Sequence, residues 1–599
     1  MRFVLDRNPI KAAFDRILTR NSRFQLPGGG SMARTTASTV TKSCLIDNEA
    51  GIARRFWNKF RKEATFAIYT PFAICLASGK LDIDSFRHYV AQDVHFLKAF
   101  AQAYELAEDC ADDDDEKLAI SELRKDVTEE LKMHDSFVQE FGSDFTKEIP
   151  VHTSTTKYTD FLLATASGKV EGVKGPGKLA TPFEKTKVAA YTLGAMAPCM
   201  KLYAYMGLEF QALVPENGSH PYKKWIENYS SAAFQESALK NEDLLDKLSV
   251  SLTGEELEVI EKLYHQAMKL EIEFFSAQPL TQHTVVPLIK YHNPEEDHLM
   301  IFSDFDLTCT VVDSSAILAE IAIVTAPKSD QNQSESHLAR MSSVDLRTTW
   351  DILSRQYTEE YEQCIDSIMP PQKADKFNYE GLREGLEKLS DFERKANARV
   401  IESGVLKGLN VEDIKRAGER MILHDGCASF FEKIIKNDSV NSDVHVLSYC
   451  WCGDLIRAAF SAEALLAMKV HSNELNFENS ISTGEIMKHM ESPVDKVKAF
   501  KDILENSKDD KKSLTVYIGD SVGDLLCLLE ADVGIVVGSS SSLRKVGSQF
   551  GVSFVPLFHG LVDKQREHAD VGSSNWKGLS GTLYTVSSWA EVHAFILGN

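Results

Sequence analysis

No apolar run in this 599-residue chain reaches the roughly 18 to 20 residues that a membrane span needs. The longest, such as Val533-Gly-Ile-Val-Val537, have the length of a buried strand. Positive charge is also short: 66 Lys and Arg face 88 Asp and Glu, a formal net charge of −22. That balance argues against a nucleic-acid partner, because phosphate backbones demand clustered Lys and Arg. A small anionic substrate is still admissible, since a local cationic pocket can sit inside an acidic protein. The ten cysteines lack any paired metal-ligand spacing. Cys450-Trp451-Cys452 is the only close pair, and one intervening residue is not a redox C-x-x-C, so a reducing compartment is expected. No internal repeat is visible. What is present, 43% hydrophobic residues at a mean hydropathy of −0.21, describes a soluble globular protein too long for a single core.

Residues 1–43 stand apart. Eight Lys or Arg oppose only Asp6 and Asp15, Ser and Thr are frequent, and Phe3, Ile10, Phe14, Ile17 and Leu18 fall largely on one helical face. This is the composition of an organellar transit peptide, and a mitochondrial address is expected. Pro27-Gly-Gly-Gly-Ser31 would break any helix, and a start at Met32 would discard the amphipathic segment and leave a cytosolic form.

From Gly51 to Gln278 strand signals are nearly absent. Arg54 to Leu76, Asp84 to Ala107, Glu116 to Phe141, Glu184 to Leu213 and Glu255 to Ala277 carry apolar residues at three- and four-residue spacing, which predicts helices. Asp112 to Asp115 reads as an acidic turn, and Gly168 to Gly177 as an inserted loop. Pro279, Pro287 and Pro294 mark a connection, after which the grammar changes. Leu299 to Ser303, Val444 to Ser448, Leu514 to Ile518 and Val533 to Val537 are short apolar runs between helical segments, the pattern of a parallel sheet with helices on both faces. The long helical stretch between the first two runs predicts an inserted cap, at about residues 313–440. The expected division is therefore a helical domain over 44–280, a linker over 281–297 and an α/β domain over 298–599.

Directly after the first predicted strand stands Asp304-Phe-Asp306-Leu-Thr308. Carboxylates at the carboxyl end of a parallel strand point into the crevice where α/β sheets bind ligands. Asp304 there can attack phosphorus, and Asp306 can protonate the leaving alcohol and then activate water. Ser448, at the end of the second run, can bind a phosphoryl oxygen, and Lys496 supplies a cation. Asp520 and Asp524, in Gly519-Asp-Ser-Val-Gly-Asp524, can gather with Asp304 around a hard cation, for which Mg²⁺ fits. Taken singly, each has a plainer reading: Asp524 as a helix N-cap, Ser448 as a turn residue, Lys496 as a solvated charge. Cys309, Cys450 and Cys452 read as small packing residues.

In order and in placement on strand ends, these residues resemble the four motifs of the haloacid-dehalogenase (HAD) phosphatases, over roughly 297–599. The resemblance implies Asp304 as nucleophile and Asp306 as general acid/base. Ser448 and Lys496 would meet substrate, and Mg²⁺ would be held by Asp304, Asp520, Asp524 and the backbone carbonyl of Asp306. In the helical half, position alone reads Cys199 as a buried structural thiol and Glu271 as a surface acid. Tyr89 to Phe96, Ala197-Pro-Cys199, Pro221 to Tyr229 and Glu271 with Phe274-Phe275 are, however, similar to motifs of the TenA family. That family is all-helical, typically oligomeric, and hydrolyses aminopyrimidine products of thiamine breakdown. The similarity implies Cys199 as nucleophile, Glu271 as proton carrier, and Asp93, Tyr158, Tyr203 and Tyr229 as the pocket. Phe96 and Met200-Lys201 depart from the family's usual aromatics.

A TenA-like half followed by a HAD-like half resembles the plant family of bifunctional thiamine-salvage enzymes. It implies hydrolysis of thiamine monophosphate to thiamine and of 4-amino-5-aminomethyl-2-methylpyrimidine to the hydroxymethylpyrimidine, and two rival readings stand beside it. One is a phosphatase for another small metabolite; the other makes the helical half a non-catalytic vitamin-binding or oligomerisation module.

Overall fold

The computed structural model describes residues 51–141, 149–170, 182–215, 219–326, 340–461, 465, 467–507, 511–567 and 576–599. The expected transit segment, the second start at Met32 and most of the Gly168 to Gly177 loop lie outside the described residues. The described chain forms two compact units, one of residues 51–288 with 561–567 and 594–599, the other of 289–560 with 576–593. No described helix is long and apolar enough to cross a membrane.

The first unit is helical throughout. The predicted helix Arg54 to Leu76 is instead three: Ile52–Lys59, Arg61–Ile68 and Pro71–Ser78. Pro71 has no N–H to donate and occupies the first turn, while the Thr70 hydroxyl accepts from the Ala73 amide, so a new helix starts there. The long periodic segments appear as Ile83–Cys110, Asp114–Phe141, Pro182–Gln211 and Gly254–Ser276. The acidic turn is shorter than expected, because Asp114 and Asp115 enter the first helical turn, where carboxylates meet the positive end of the helix. Thr153–Ala166, Lys223–Ser230 and Ala232–Ser249 complete the unit and were not predicted as helices.

Pro182–Gln211 is the central element and packs on Ile83–Cys110, Lys223–Ser230, Ala232–Ser249 and Gly254–Ser276. Gly194 permits the last of these contacts: a Cβ there would lie 2.5 Å from Ile260 Cγ2. The close approach sets the helix carrying Cys199 against the helix carrying Glu271.

The second unit is built on a seven-stranded, all-parallel sheet. In chain order its strands, with a separate antiparallel hairpin, are β1 (Asp297–Ser303), β2 (Ser442–Leu447), β3 (Lys469–His471), the hairpin β4 (Glu474–Glu478) and β5 (Ile481–Met487), β6 (Lys512–Gly519), β7 (Val533–Val537), β8 (Ser553–Pro556) and β9 (Thr582–Val586). The sheet order is β3-β2-β1-β6-β7-β9-β8. β1, β2, β6 and β7 correspond to the four apolar runs. The hairpin and the edge strands β3 and β8 escape the apolar signal because they are short or half-exposed, and the interior β9 because Thr582 and Thr585 interrupt its apolar residues. Between β1 and β2 run the helices Ser314–Val324, Ser343–Ile368, Tyr379–Ser403, Val411–Gly418 and Cys427–Ile435. Leu382, Leu386 and Leu389 join Met300, Phe302 and Phe500 in one buried cluster, which fixes this insertion to the sheet.

Candidate active sites

In the α/β unit the neighbours β2, β1 and β6 are parallel and in register, with Ser303 opposite both Val446 and Ile518. Their carboxyl ends therefore lie side by side, and Ser448, Asp304 and Asp520 follow them directly. The Asp304 amide extends the ladder by donating to the Ile518 carbonyl at 2.9 Å. Gly519 is the last residue of β6, where a Cβ would lie 2.7 Å from Asp524 Cβ; glycine is what lets the loop fold back. Asp524 is held in that loop by the Ser521 amide at 3.0 Å and the Ser521 hydroxyl at 2.6 Å. Lys496 comes from the first turn of the helix Pro493–Asn506, which Ser492 caps by accepting from the Asp495 amide.

Lys496 Nζ lies 2.9 Å from Asp304 Oδ1 and 2.6 Å from Asp524 Oδ1, wholly buried, over the ring of Tyr449 at 4.5 Å. Burial alone would strip its proton, but the two carboxylates keep it a cation. Burial likewise works to raise Asp524, and Lys496 overrides it and holds the carboxyl below the usual range. Asp304 goes the other way: burial and the charge of Asp524 raise it well above an ordinary carboxyl, against Lys496. Ligand atoms of Asp304, Asp520 and Asp524 lie within 4.8 Å of one another. One lysine for three buried acids leaves an excess of negative charge, and the donor set is all oxygen. These residues therefore fit a hard divalent cation.

Asp306 is set apart from this cluster. Its oxygens accept from the Ser314 amide at 2.7 Å and the Ser314 hydroxyl at 2.9 Å. Burial and the neighbouring Asp313 push it up to about 7, so that it can give and take a proton near neutrality. Thr308 donates to Asp520 Oδ1 at 3.1 Å. Ser448 is fully buried and accepts from the Cys450 amide at 3.1 Å. A cavity opens over the cluster, lined in part by Asp304, Asp306, Asp520, Asp313, Glu393, Asn397, Glu491, Tyr449 and Trp451. Ser448, Lys496 and Asp524 are not in its wall. Tyr449, Trp451, Glu393 and Glu491 went unread in the sequence, because neither spacing nor composition marks them. Cys450 also lines the cavity, beyond the packing role expected of it.

In the helical unit all six expected residues are buried, and Glu271, read by position as a surface acid, is 1% exposed. Glu271 lies on the same buried face of Gly254–Ser276 as Ile260, Tyr264, Ala267 and Phe274, so its charge, not its place in the period, suggested a surface position. Tyr158 donates to Glu271 Oε1 at 2.8 Å, and the Cys199 thiol is also hydrogen-bonded to Glu271. Burial pushes Glu271 up to about 7, with those two bonds opposing. Burial also raises the Cys199 thiol well above its ordinary value, helped by Glu271, so the resting sulfur is protonated.

A second group faces this pair. The Tyr89 hydroxyl lies 3.4 Å from Asp93 Oδ2 and 3.3 Å from the Tyr203 hydroxyl, and Trp225 Nε1 donates to it at 3.2 Å. Tyr229 donates to Glu130 at 2.5 Å, and its ring lies 4.9 Å from that of Tyr203. Phe96 packs 4.6 Å from Tyr158 and 6.1 Å from Phe274, ring centre to ring centre. His134, Glu130, Tyr89 and Trp225 belong to this network, and the sequence reading gave them no role.

A parallel sheet with aspartates on adjacent strand ends defines a HAD-like hydrolase, and the helical unit is of the TenA class. The sequence profile of the TENA/THI-4/PQQC family matches residues 57–170 and 183–280. The bifunctional TH2 protein, mitochondrial, of Arabidopsis thaliana is 68% identical, over 94% of this chain and 92% of its own length. The chain belongs to the family of that bifunctional protein. An aminopyrimidine aminohydrolase of Helicobacter pylori is 27% identical over 34% of this chain and 88% of its own. A solved phospho-aspartyl intermediate analogue of phosphoserine phosphatase aligns at a TM-score of 0.26 and 17% identity, covering 42% of this chain and 91% of its own.

Proposed function

We propose that the chain is a bifunctional thiamine-salvage hydrolase that frees thiamine from thiamine monophosphate in its α/β unit. In its helical unit it converts 4-amino-5-aminomethyl-2-methylpyrimidine to the hydroxymethylpyrimidine with release of ammonia. The observation that carries the phosphatase substrate is the cavity wall. Among its described lining residues none is Lys or Arg, while Asp313, Glu393 and Glu491 stand with the aromatic rings of Tyr449 and Trp451. A neutral sugar or nucleoside gains nothing from those carboxylates, and a leaving group with a further negative charge is repelled. An aromatic cation such as the thiazolium of thiamine gains from both the charge and the rings.

In the α/β unit, a carboxylate oxygen of Asp304 attacks phosphorus while Asp306 protonates the departing alcohol oxygen. The P–O ester bond breaks and an Asp304–phosphoryl bond forms. Asp306, now ionised, takes a proton from water, whose oxygen attacks phosphorus to release phosphate and restore Asp304. Lys496 orients Asp304, and Ser448 serves the phosphoryl oxygens. Mg²⁺ would be held by Asp304, Asp520 and Asp524 with the Asp306 carbonyl, and would neutralise the charge gathering on the phosphoryl group.

In the helical unit, Cys199 adds to the pyrimidine ring as its proton passes through Glu271 to a ring nitrogen. The ring electrons then expel the protonated aminomethyl nitrogen as ammonia, water adds at the methylene carbon and gives its proton to Glu271, and the C–S bond breaks as the ring nitrogen's proton returns to sulfur. Asp93 holds the amino edge, and Tyr158, Tyr203 and Tyr229 line the pocket. A homo-oligomer in mitochondria, with a cytosolic form starting at Met32, completes the reading; the relative's mitochondrial name and the basic residues 1–43 support it. The decisive assay is phosphate release by the purified chain from a panel of thiamine monophosphate, nucleotides, sugar phosphates and phosphoserine. Preference for the thiamine ester is expected, and preference for a neutral or anionic leaving group would end the proposal.

A further inference from the structure

His134 sits on the helix Asp114–Phe141, fully buried against Asp93 of the helix Ile83–Cys110. Its Nδ1 lies 2.9 Å from the Glu130 carbonyl oxygen. A carbonyl can only accept, so Nδ1 carries a hydrogen. Its Nε2 lies 2.7 Å from Asp93 Oδ2, the same oxygen that Tyr89 approaches. Two proton patterns satisfy this contact: an imidazolium donating to a carboxylate, or a neutral imidazole accepting from a carboxylic acid. The surroundings choose between them. Tyr89 faces the pair from the helix of Asp93 and Glu130 from that of His134 itself. Cys199 and Tyr203 come from Pro182–Gln211, Tyr229 from Lys223–Ser230 and Glu271 from Gly254–Ser276. None of these can be a cation. Burial opposes an imidazolium, but the bond and charge of Asp93, with Glu130, lift His134 to about 9.

We propose that His134 is a positioning residue that keeps Asp93 ionised and aimed at the exocyclic amine of the bound pyrimidine. The site thereby selects a ring edge that donates N–H. This rests on the aminohydrolase reading of the helical unit. Glu271, buried in the same network with only a phenol and a thiol bonded to it, is pushed up to about 7 by that burial. With Nδ1 donating to the Glu130 carbonyl, a neutral ring could only accept at Nε2, and the shared proton would have to sit on Asp93 Oδ2. A protonated Asp93 could donate to a ring carbonyl, and the site would lose its preference for an amino over an oxo group.

The test uses the full chain labelled with ¹⁵N-histidine. At pH 7 one histidine should show both ring nitrogens protonated, lose that state as pH rises through about 9, and vanish in His134→Gln. In Asp93→Asn it should turn neutral at lower pH. A neutral His134 at pH 7 would overturn the proposal whatever the kinetics. In ammonia release, His134→Gln should raise KM on the order of ten- to hundredfold with a smaller change in kcat. It should also narrow discrimination between 4-amino and 4-oxo rings and remove the loss of affinity above pH about 9. A fall in kcat alone, with the pH profile and discrimination unchanged, would make His134 merely structural. Phosphate release and a melting curve on the same sample show whether the variant folds, and the spectrum of the unsubstituted chain stands if it does not. Absence of ammonia release from the unsubstituted chain would sink the aminohydrolase reading, while the spectrum would still decide the charge of His134.

Discussion

The two units bury acids in opposite ways. In the α/β unit Asp304, Asp520 and Asp524 crowd together around one lysine, and the remaining charge calls for a divalent cation. In the helical unit Asp93, Glu130 and Glu271 are separated, each tied to a phenol, a thiol or an imidazole. The first arrangement stabilises charge that builds on a phosphoryl group. The second, in the proposed reaction, would pass protons between sulfur, carboxylate and ring, with Glu271 near 7. On the reading proposed, one chain carries both a site that would depend on a metal and a site that would depend on proton placement.

The sharpest way to break this contrast is Asp304→Asn, which removes the attacking oxygen. Phosphate release should fall about 10⁴-fold while ammonia release and the melting temperature hold. Appreciable turnover would end the covalent reading. Cys199→Ser tests the other side, since a hydroxyl in the same burial is a far weaker nucleophile. Ammonia release should drop on the order of 10³-fold with phosphate release unchanged. If both activities fall, the two sites are coupled and the comparison needs revision.

Smaller effects sharpen the account. Glu393→Gln removes one charge from the cavity wall, so KM for thiamine monophosphate should rise about tenfold. A neutral aryl phosphate should be unaffected, and an equal loss for both would make Glu393 structural. Glu271 must be ionised to take the Cys199 proton, and its carboxyl sits near 7. As pH falls through that value the acid form accumulates, so kcat/KM for ammonia release should decline on the acid side. An acid limb that stays near the ordinary carboxyl value would remove Glu271 from that role.

The α/β site was open to sequence reading because a parallel sheet converts chain order into position. Each apolar run ends where the next motif begins, so Asp304, Ser448 and Asp520 were placed side by side before any coordinates. The wall residues Glu393, Glu491 and Trp451 were not, since the inserted helices reach the cavity through tertiary packing that no local pattern encodes. In the helical unit periodicity found the long helices but ran through the break at Thr70-Pro71. Glu271 lies on the buried stripe with Tyr264, Ala267 and Phe274, but an acid there reads as a surface residue, and only likeness to a known family singled it out. His134 had no signal at all, because a histidine on an amphipathic helix is equally at home in solvent.

Metal removal tests the central contrast most directly. The purified chain is treated with a chelator, and phosphate and ammonia release are measured on the same sample. Phosphate release should stop and return with added Mg²⁺, while ammonia release continues undiminished throughout. Phosphate release that survives chelation, or ammonia release that fails with it, would contradict the account.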